Sequence, residues 1–192
     1  MRRSGSGPPI CGRLVPMTEI PIKLPTRSPR QTEILVAARR RVEAAGWEAL
    51  SMRMLATDLG IRAPSLYKHL PNKEAVRTQL LIDAFARMGQ ACWRVIETEA
   101  SIDLLLRAYR ATAAASPELY RLATSGPLDR AALPEGLEEW SGRPFFVVTG
   151  NLVIGQALWA ATHGLTILEL DGRLPPGSDV DAAWEELAEA FK

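Results

Sequence analysis

The chain has 192 residues, of which 47% are hydrophobic, 23% charged and 6% aromatic. This composition is typical of a soluble globular protein with one ordinary domain or two small ones, and it disfavours wholesale disorder, a collagen-like fibre and a polytopic membrane protein. The two cysteines, Cys11 and Cys92, are 81 positions apart, which indicates neither a disulfide framework nor a zinc site. We therefore expect a protein of the reducing cytoplasm that has no metal and no other cofactor.

Charge is distributed unevenly along the chain. Residues 1–80 contain 14 Lys and Arg against 6 Asp and Glu, whereas residues 81–192 contain 9 against 16. A basic head on an acidic body is typical of nucleic-acid-binding proteins, because Lys and Arg that neutralise phosphates supply most of the non-specific affinity. A merely solvated basic face would give the same charge balance, so the sequence motifs must distinguish the two.

The first predicted element is a tail. Residues 1–27 are rich in Gly, Pro and Ser and contain no long apolar run, which predicts a flexible basic segment and not a secretory signal peptide. A helix follows, with Ser28 as its N-cap, Pro29 in its first position and Gln31 placed for a capping box. Apolar residues then recur every three or four positions until Gly46 ends the helix.

Further helix starts are marked by a capping Ser or Asn, or by an early Pro. They lie at Ser51, Ala63, Asn72, Ser101 and Ser116. The helix from Ser51 ends at Gly60, the segment from Ala63 ends at Leu70, and the helix from Asn72 is much longer, reaching about Ile96. The glycines and prolines of residues 124–143 predict a loop with, at most, a turn of helix near Leu137.

Residues 144–168 carry no charged side chain, so a membrane span must be considered. Polar residues are dispersed around the run and would face lipid on several sides, which favours an interior helix of a bundle. Residues 180–191 form one apolar stripe opposite several glutamates and predict an amphipathic helix. No strand-like alternation of any length occurs, so the predicted class is all-α.

The most informative segment is Leu50 to Glu74, LSMRMLATDLGIRAPSLYKHLPNKE. A helix-turn-helix needs two short helices that are locked by apolar contacts and joined by a turn, often with a glycine. Leu55 can pack against Leu66 across the two helices, and Gly60 supplies the turn. The outward face of the second helix then presents short polar, aromatic and basic groups, which reach phosphates and base edges.

From about Gln31 to Arg77 the sequence resembles the TetR family of bacterial transcriptional regulators. The resemblance lies in the three-helix spacing, in the run Ala63-Pro64-Ser65-Leu66-Tyr67 and in Asn72-Lys73-Glu74. It implies a DNA-binding head at residues 28–75, whose third helix is the recognition helix, and a larger helical body for ligand binding and dimerisation at residues 76–192. The positions that match the family's DNA contacts are Ser51, Arg53, Arg62, Ala63, Pro64, Ser65, Tyr67, Lys68, His69 and Lys73.

The body is less informative, although residues 159–169, WAATHGLTILE, look like the Trp and His-Gly pattern of one C-terminal subgroup. The resemblance implies a small, largely apolar effector whose binding lowers DNA affinity. Polar residues set among apolar ones are typical of a binding pocket. The candidate effector-binding residues are Trp93, Tyr109, Tyr120, Phe146, Asn151, Trp159 and His163.

A homodimer is expected because one helix-turn-helix reads too few base pairs for useful specificity. From their sequence pattern, the uncharged 144–168 helix and the 180–191 stripe are also expected to leave more apolar surface than one subunit covers. The candidate interface residues are Leu152, Gly155, Trp184, Leu187 and Phe191. These expectations together describe a repressor that binds a near-palindromic operator.

Two other classes of protein were considered. An enzyme is disfavoured, because Ser65 and Lys68 match a Ser-x-x-Lys motif without its companion motifs, and His69 and His163 lie 94 positions apart on different predicted lobes. A helical adaptor that binds protein partners through its acidic body is the main alternative. It predicts no salt-dependent affinity for DNA, whereas a repressor does.

Overall fold

The computed structural model describes residues 22–192, which form nine α-helices and one short 3-10 turn without any strand. The all-α class predicted from the sequence is confirmed. The helices are α1 (Pro29–Ala49), α2 (Met52–Asp58), α3 (Ala63–Tyr67), α4 (Lys73–Thr98), α5 (Ile102–Ala114), α6 (Pro117–Thr124), α7 (Leu137–Thr149), α8 (Leu152–Leu170) and α9 (Val180–Glu189).

The helix starts follow the caps that the sequence predicts. Ser28 and Gln31 form a complete capping box at the start of α1, and the side chains of Ser51, Asn72 and Ser101 accept backbone N–H bonds at the starts of α2, α4 and α5. α1 is broken near its end by Gly46, whose φ of 77° belongs to the left-handed region. α3 is shorter than predicted, since it ends at Tyr67.

The region after residue 124 differs from the prediction. α7 begins at Leu137 and continues for 13 residues, so the second part of the predicted 124–143 loop is helical. The uncharged run 144–168 is two helices and not one. Gly150, with a φ of 63°, ends α7, and the Asn151 side chain caps α8. A glycine followed by a capping Asn is a helix stop and start signal, and it outweighs the continuous apolar pattern.

None of the helices within residues 22–192 is by itself long and apolar enough to cross a membrane. α7 and α8 reach that length and composition only when taken together, and they are bent by 110° at the break between them.

The described residues pack around two hydrophobic cores. The head core contains Leu55 and Leu66 of the helix-turn-helix, and the body core contains aromatic residues such as Tyr109 and Phe145. α4 contributes to both cores, because Leu80 and Leu81 pack in the head while later turns pack in the body. The predicted division between residues 75 and 76 therefore falls within the first turns of a shared helix.

The end of the predicted tail is packed against the molecule. Ile22 and Leu24 lie against the body core. The Arg27 guanidinium donates to Gln79 Oε1 at 2.8 Å and to Asp83 Oδ1 at 2.7 Å, both on α4. Residues 22–27 of the predicted tail are thus held against the molecule by two partly buried apolar side chains and an ion pair. Residues 1–21, with Cys11, lie outside the described part of the chain.

Candidate DNA-binding surface and effector site

The helix-turn-helix is held by buried leucines. Leu55 of α2 and Leu66 of α3 are fully buried in the head core. Gly60 turns the chain between them with a φ of 62°, and Ile61 N donates to Ala56 O at 2.9 Å. With Leu66 buried, the opposite face of α3 points away from the head.

The predicted DNA-contact residues lie on neighbouring elements, at the start of α2, along α3 and at the start of α4. Six of them are exposed to solvent: Arg53, Arg62, Pro64, Ser65, Tyr67 and Lys68. The other four are partly exposed: Ser51, Ala63, His69 and Lys73. Tyr67 is notable because a large aromatic side chain is 46% exposed without covering any core. The hydroxyl of Ser51 also caps α2, since its Oγ accepts a hydrogen bond from Met54 N.

Lys73 is oriented by residues of α1. Its Nζ lies 4.6 Å from the centroid of the Trp47 ring and 3.4 Å from Glu48 O. A cation over an indole face is attracted by the ring quadrupole. The sequence carries no signal for this contact, because Trp47 and Lys73 lie on different helices.

Gln31 joins the start of α1 to the turn that follows α3 through a hydrogen bond. Its Oε1 accepts from Ser28 N at 2.9 Å in the capping box, and its Nε2 donates to His69 O at 3.1 Å. The capping box was readable in the sequence, whereas the bond to His69 was not. The chain just after the recognition helix is thereby held against α1.

A second link joins α1 to α2. The Arg41 guanidinium donates two hydrogen bonds to the Asp58 carboxylate, at 2.6 and 2.5 Å. The paired hydrogen bonds and charges raise the pKa of Arg41 and lower the pKa of Asp58. Both groups stay charged at neutral pH, so this bidentate pair orients α2 relative to α1.

In the body, three side chains form a hydrogen-bonded row, which we call the Tyr-His row. The Tyr109 and Tyr120 hydroxyls lie 3.0 Å apart, and the Tyr120 hydroxyl lies 2.7 Å from Nδ1 of His163. Burial raises the pKa of both tyrosines and lowers the pKa of His163. At neutral pH the row is therefore an uncharged chain of donors and acceptors that runs from the buried Tyr109 to the partly exposed His163.

Aromatic rings surround the Tyr-His row. The Trp159 ring stacks on His163 with centroids 6.0 Å apart and planes 15° apart. The Phe145 ring meets Tyr109 edge to face at 5.6 Å. The structure thus brings together four predicted effector residues, from α5, α6 and α8. Phe145 was missed, because the period of the sequence did not show which of two adjacent phenylalanines faces inward.

The other three predicted effector residues make different contacts. Trp93 is buried and its Nε1 donates to Trp140 O at 2.9 Å. Phe146 lies against Gly155, where a Cβ would be 2.4 Å from Phe146 Cδ1. Asn151 is exposed, and its Oδ1 accepts from two backbone N–H groups at the start of α8. The role of Asn151 in an effector site stays a prediction, whereas the structure shows its carboxamide oxygen capping α8.

The pockets that are best defined in the described residues do not include the Tyr-His row. One, of about 640 Å³, lies between α1 and α2, and a smaller one of about 230 Å³ lies between α5 and α9. The row ends near the surface, where His163 is partly exposed and the Trp159 ring that stacks on it is 45% exposed.

The exposed apolar surface of the body lies mainly on α8. Leu152, Val153 and Ile154 are 61%, 71% and 45% exposed, and Trp159 is 45% exposed. Large apolar side chains exposed together at one end of a helix are typical of a protein interface. Gly155, predicted at the same interface, is buried against Phe146.

The α9 stripe is covered within the chain itself, so the expectation that it stays uncovered in one subunit is wrong. Trp184 is buried, its Nε1 donates to Glu169 Oε2 at 2.8 Å, and the Arg110 guanidinium lies 5.4 Å from its ring centroid. Leu187 and Phe191 are partly buried against the body core. The sequence pattern showed that α9 must dock but not on which surface.

A two-helix motif with a glycine turn, an exposed third helix carrying Ser65, Tyr67 and Lys68, and a separate helical body define a helix-turn-helix transcriptional regulator. Comparison with known families agrees. The sequence model described as "Bacterial regulatory proteins, tetR family" matches residues 34–80, and that described as "Tetracyclin repressor-like, C-terminal domain" matches residues 102–191. The chain belongs to the TetR family, as the three-helix motif predicted. The finer C-terminal subgroup stays a prediction.

Similar proteins carry the same class of description. An uncharacterized HTH-type transcriptional regulator of Mycobacterium tuberculosis is 28% identical over 96% of this chain and 87% of its own length. The HTH-type transcriptional repressor DrrR1 of Streptomyces coeruleorubidus is 29% identical over 60% of this chain and 44% of its own length.

Solved structures share the fold. A protein of unknown function from Rhodococcus sp. RHA1 aligns with a TM-score of 0.72 and 22% identity, over 90% of this chain and 97% of that one. TetR from Acinetobacter baumannii AYE aligns with a TM-score of 0.57 and 18% identity, over 82% and 92%. At these identities the likeness establishes the fold alone.

Proposed function

We propose that this regulator is a repressor that binds a near-palindromic operator as a homodimer and is released by a small, largely apolar effector. The observation that carries the proposal is the pairing of two sites in one chain. An exposed recognition helix lies in the head, and a neutral hydrogen-bonding row lies within the apolar body.

The roles of the DNA contacts follow from their chemistry and position. Tyr67, His69 and Lys73 are suited to phosphates, which set the register of the protein on the duplex. Arg53, Arg62 and Lys68 are exposed cations beside or on the recognition helix and are suited to base edges. Ser51, Ala63, Pro64 and Ser65 complete the same surface. Arg62 precedes α3 and makes no side-chain cap bond, so its guanidinium is free to reach the groove.

The exposed apolar residues at the start of α8 support a homodimer. We propose that Leu152, Val153 and Ile154 contact the same region of a second copy, because large apolar side chains at this exposure favour association. A twofold dimer would place its recognition helices about 34–36 Å apart, one turn of the duplex, and would require a near-palindromic operator.

The Tyr-His row supports an effector site. Its donors and acceptors lie beside the rings of Trp159 and Phe145, and this mixture of apolar and polar groups suits a largely apolar molecule with few polar groups. A variant of TetR from Acinetobacter baumannii was solved in complex with minocycline, so the fold accommodates such a ligand in that protein. We propose that the effector prefers a body geometry that moves α4 and changes the separation of the two heads.

The experiment is a selection followed by a titration. Duplexes that the wild-type protein retains from a random library are sequenced, and their affinity is measured by fluorescence anisotropy at several salt concentrations. A repressor gives a shared near-palindromic sequence and an affinity that falls with salt. The adaptor alternative gives neither result. A Tyr67→Ala/Lys68→Ala double variant that keeps full affinity for the selected duplex would contradict the assigned surface.

A further inference from the structure

The start of α6 is capped by a residue of the head. The backbone N–H groups of Glu118 and Leu119 donate to the two carboxylate oxygens of Glu43, each at 3.2 Å. Ser116, at the N-cap position of α6, makes no side-chain cap bond. The first N–H groups of a helix have no partner within the helix, and a carboxylate there is also favoured by the helix dipole. α6 therefore depends on α1 for its N-terminal cap.

α6 also belongs to both cores. Leu119 and Leu122 are buried in the head core, whereas Tyr120 between them is buried in the body core and hydrogen-bonds His163. On its other side, Arg121 donates to Leu170 O and to Asp171 at the end of α8. This single helix of eight residues thus joins the head, the Tyr-His row and α8.

We propose that Glu43 is a positioning residue that fixes the head on the body, and that α6 carries a change at the Tyr-His row to the head through it. Tyr120 lies two residues after Glu118, so a shift of its ring moves the N–H groups that Glu43 accepts from. The loss or retention of those two bonds then determines the angle of α1. The transmission step rests on the proposed effector site, whereas the hydrogen bonds between α6 and Glu43 do not depend on it.

The test uses the full-length protein and no effector. Glu43→Ala removes both acceptors, and Glu43→Gln keeps one acceptor oxygen and so serves as the milder variant. Glu33→Gln is the matched control, because Glu33 lies on the same helix and pairs with Arg30 at the surface. Hydrogen exchange of the peptide containing Glu118 and Leu119 measures the cap. Affinity for the selected duplex, divided by affinity for a random duplex, measures head placement.

Glu43→Ala is expected to speed exchange at the start of α6 and to lower this affinity ratio about tenfold. Affinity for random duplex should stay unchanged, since the DNA-contact residues are intact. Glu43→Gln should give a smaller change of the same sign, and Glu33→Gln none. Circular dichroism at the assay temperature verifies that each variant is folded.

A double-mutant cycle with Tyr120→Phe tests transmission. The phenylalanine ring keeps the packing but removes the hydroxyl that joins Tyr109 and His163. We expect Tyr120→Phe to change the affinity ratio in the wild-type background and to have little further effect with Glu43→Ala. Independent, multiplicative effects would overturn the proposal, as would no effect of Tyr120→Phe in either background. If the wild-type protein selects no duplex at all, the proposed function fails instead, while the exchange measurement still tests the cap.

Discussion

Gly89 of α4 lies directly against the indole of Trp140 of α7. A Cβ at position 89 would be 2.2 Å from Cζ3 of Trp140, so only a glycine permits this approach of the two helices. Trp140 is itself fixed, because its carbonyl accepts from Trp93 Nε1 and its ring is buried. The position of α7 on α4 is thus set by one missing side chain.

Replacing Gly89 by Ala is expected to destabilise the protein by about 1–3 kcal/mol, because the helices must separate to admit the methyl group. Urea unfolding followed by circular dichroism measures the change. Gly142→Ala is the matched control, since Gly142 lies in α7 with open space where a Cβ would be. This variant should be slightly more stable than the wild type, because Ala favours a helix more than Gly does. Equal stabilisation of both variants would contradict the contact.

Variants of the proposed DNA-binding surface are expected to lose either overall affinity or base preference. Tyr67→Ala and Lys73→Ala should weaken binding to selected and random duplexes alike, and Lys73→Ala should also reduce the salt dependence. Arg62→Ala and Lys68→Ala should relax preference at particular base pairs, by about 1–3 kcal/mol for a good base contact. Repeating the duplex selection with each variant measures preference. An unchanged preference in both of the latter variants would remove them from base recognition.

His163 predicts a pH dependence of stability. Burial lowers its pKa in the folded protein, so folding favours the neutral ring and stability falls as pH drops below the unfolded pKa of about 6.5. Thermal unfolding between about pH 7.5 and 5.5 measures the slope. His163→Gln should flatten it, whereas His69→Gln controls for the other histidine. If stability depends on pH as strongly in the His163→Gln variant as in the wild type, the dependence comes from other groups.

From the proposed dimer contact at the start of α8, we expect Val153→Glu to prevent dimerisation, because a charge at this interface must be desolvated. Sedimentation velocity should show a monomer with unchanged helix content, and binding to the selected duplex should be lost. Val36→Glu is the control, since Val36 is an exposed valine on the head. A Val153→Glu variant that sediments as the wild type does would place the interface elsewhere.

The sequence pattern placed Trp184 at the dimer interface, but its burial predicts that a substitution there lowers stability. Because it is buried against Arg110 and Glu169 within the chain, Trp184→Ala should lower the stability of the body by about 3–5 kcal/mol. Chemical denaturation measures the change, and Ala183→Gly at the neighbouring position controls for helix propensity. Loss of the dimer without loss of stability would instead assign Trp184 to the interface.

Much of the fold was predictable because its signals are local. The caps at Ser28, Ser51 and Asn72, together with Gly60, marked the helices of the head without any tertiary information. The break at Gly150 was also present in the sequence, but the uncharged run around it concealed the change of direction.

The site was less predictable, because it depends on contacts between distant residues. Tyr109, Tyr120 and His163 were recognisable as polar groups among apolar ones, but periodicity could not show that their polar atoms meet. The bonds from Glu43 to α6 join residues 75 and 76 positions apart and involve backbone N–H groups, which carry no side-chain signal. Patterns of this kind specify which residues are buried and not which of them meet.

The sharing of α6 between the two cores limits how the head can be exchanged with that of another protein. A fragment that ends near residue 75 would lack Leu119 and Leu122, and the side chains they cover would face water. A chimera built from this head and a foreign body must therefore carry α6, or a helix that presents leucines at the same two positions. The head is in this sense a non-contiguous unit, and a graft defined by the chain boundary alone would be expected to aggregate.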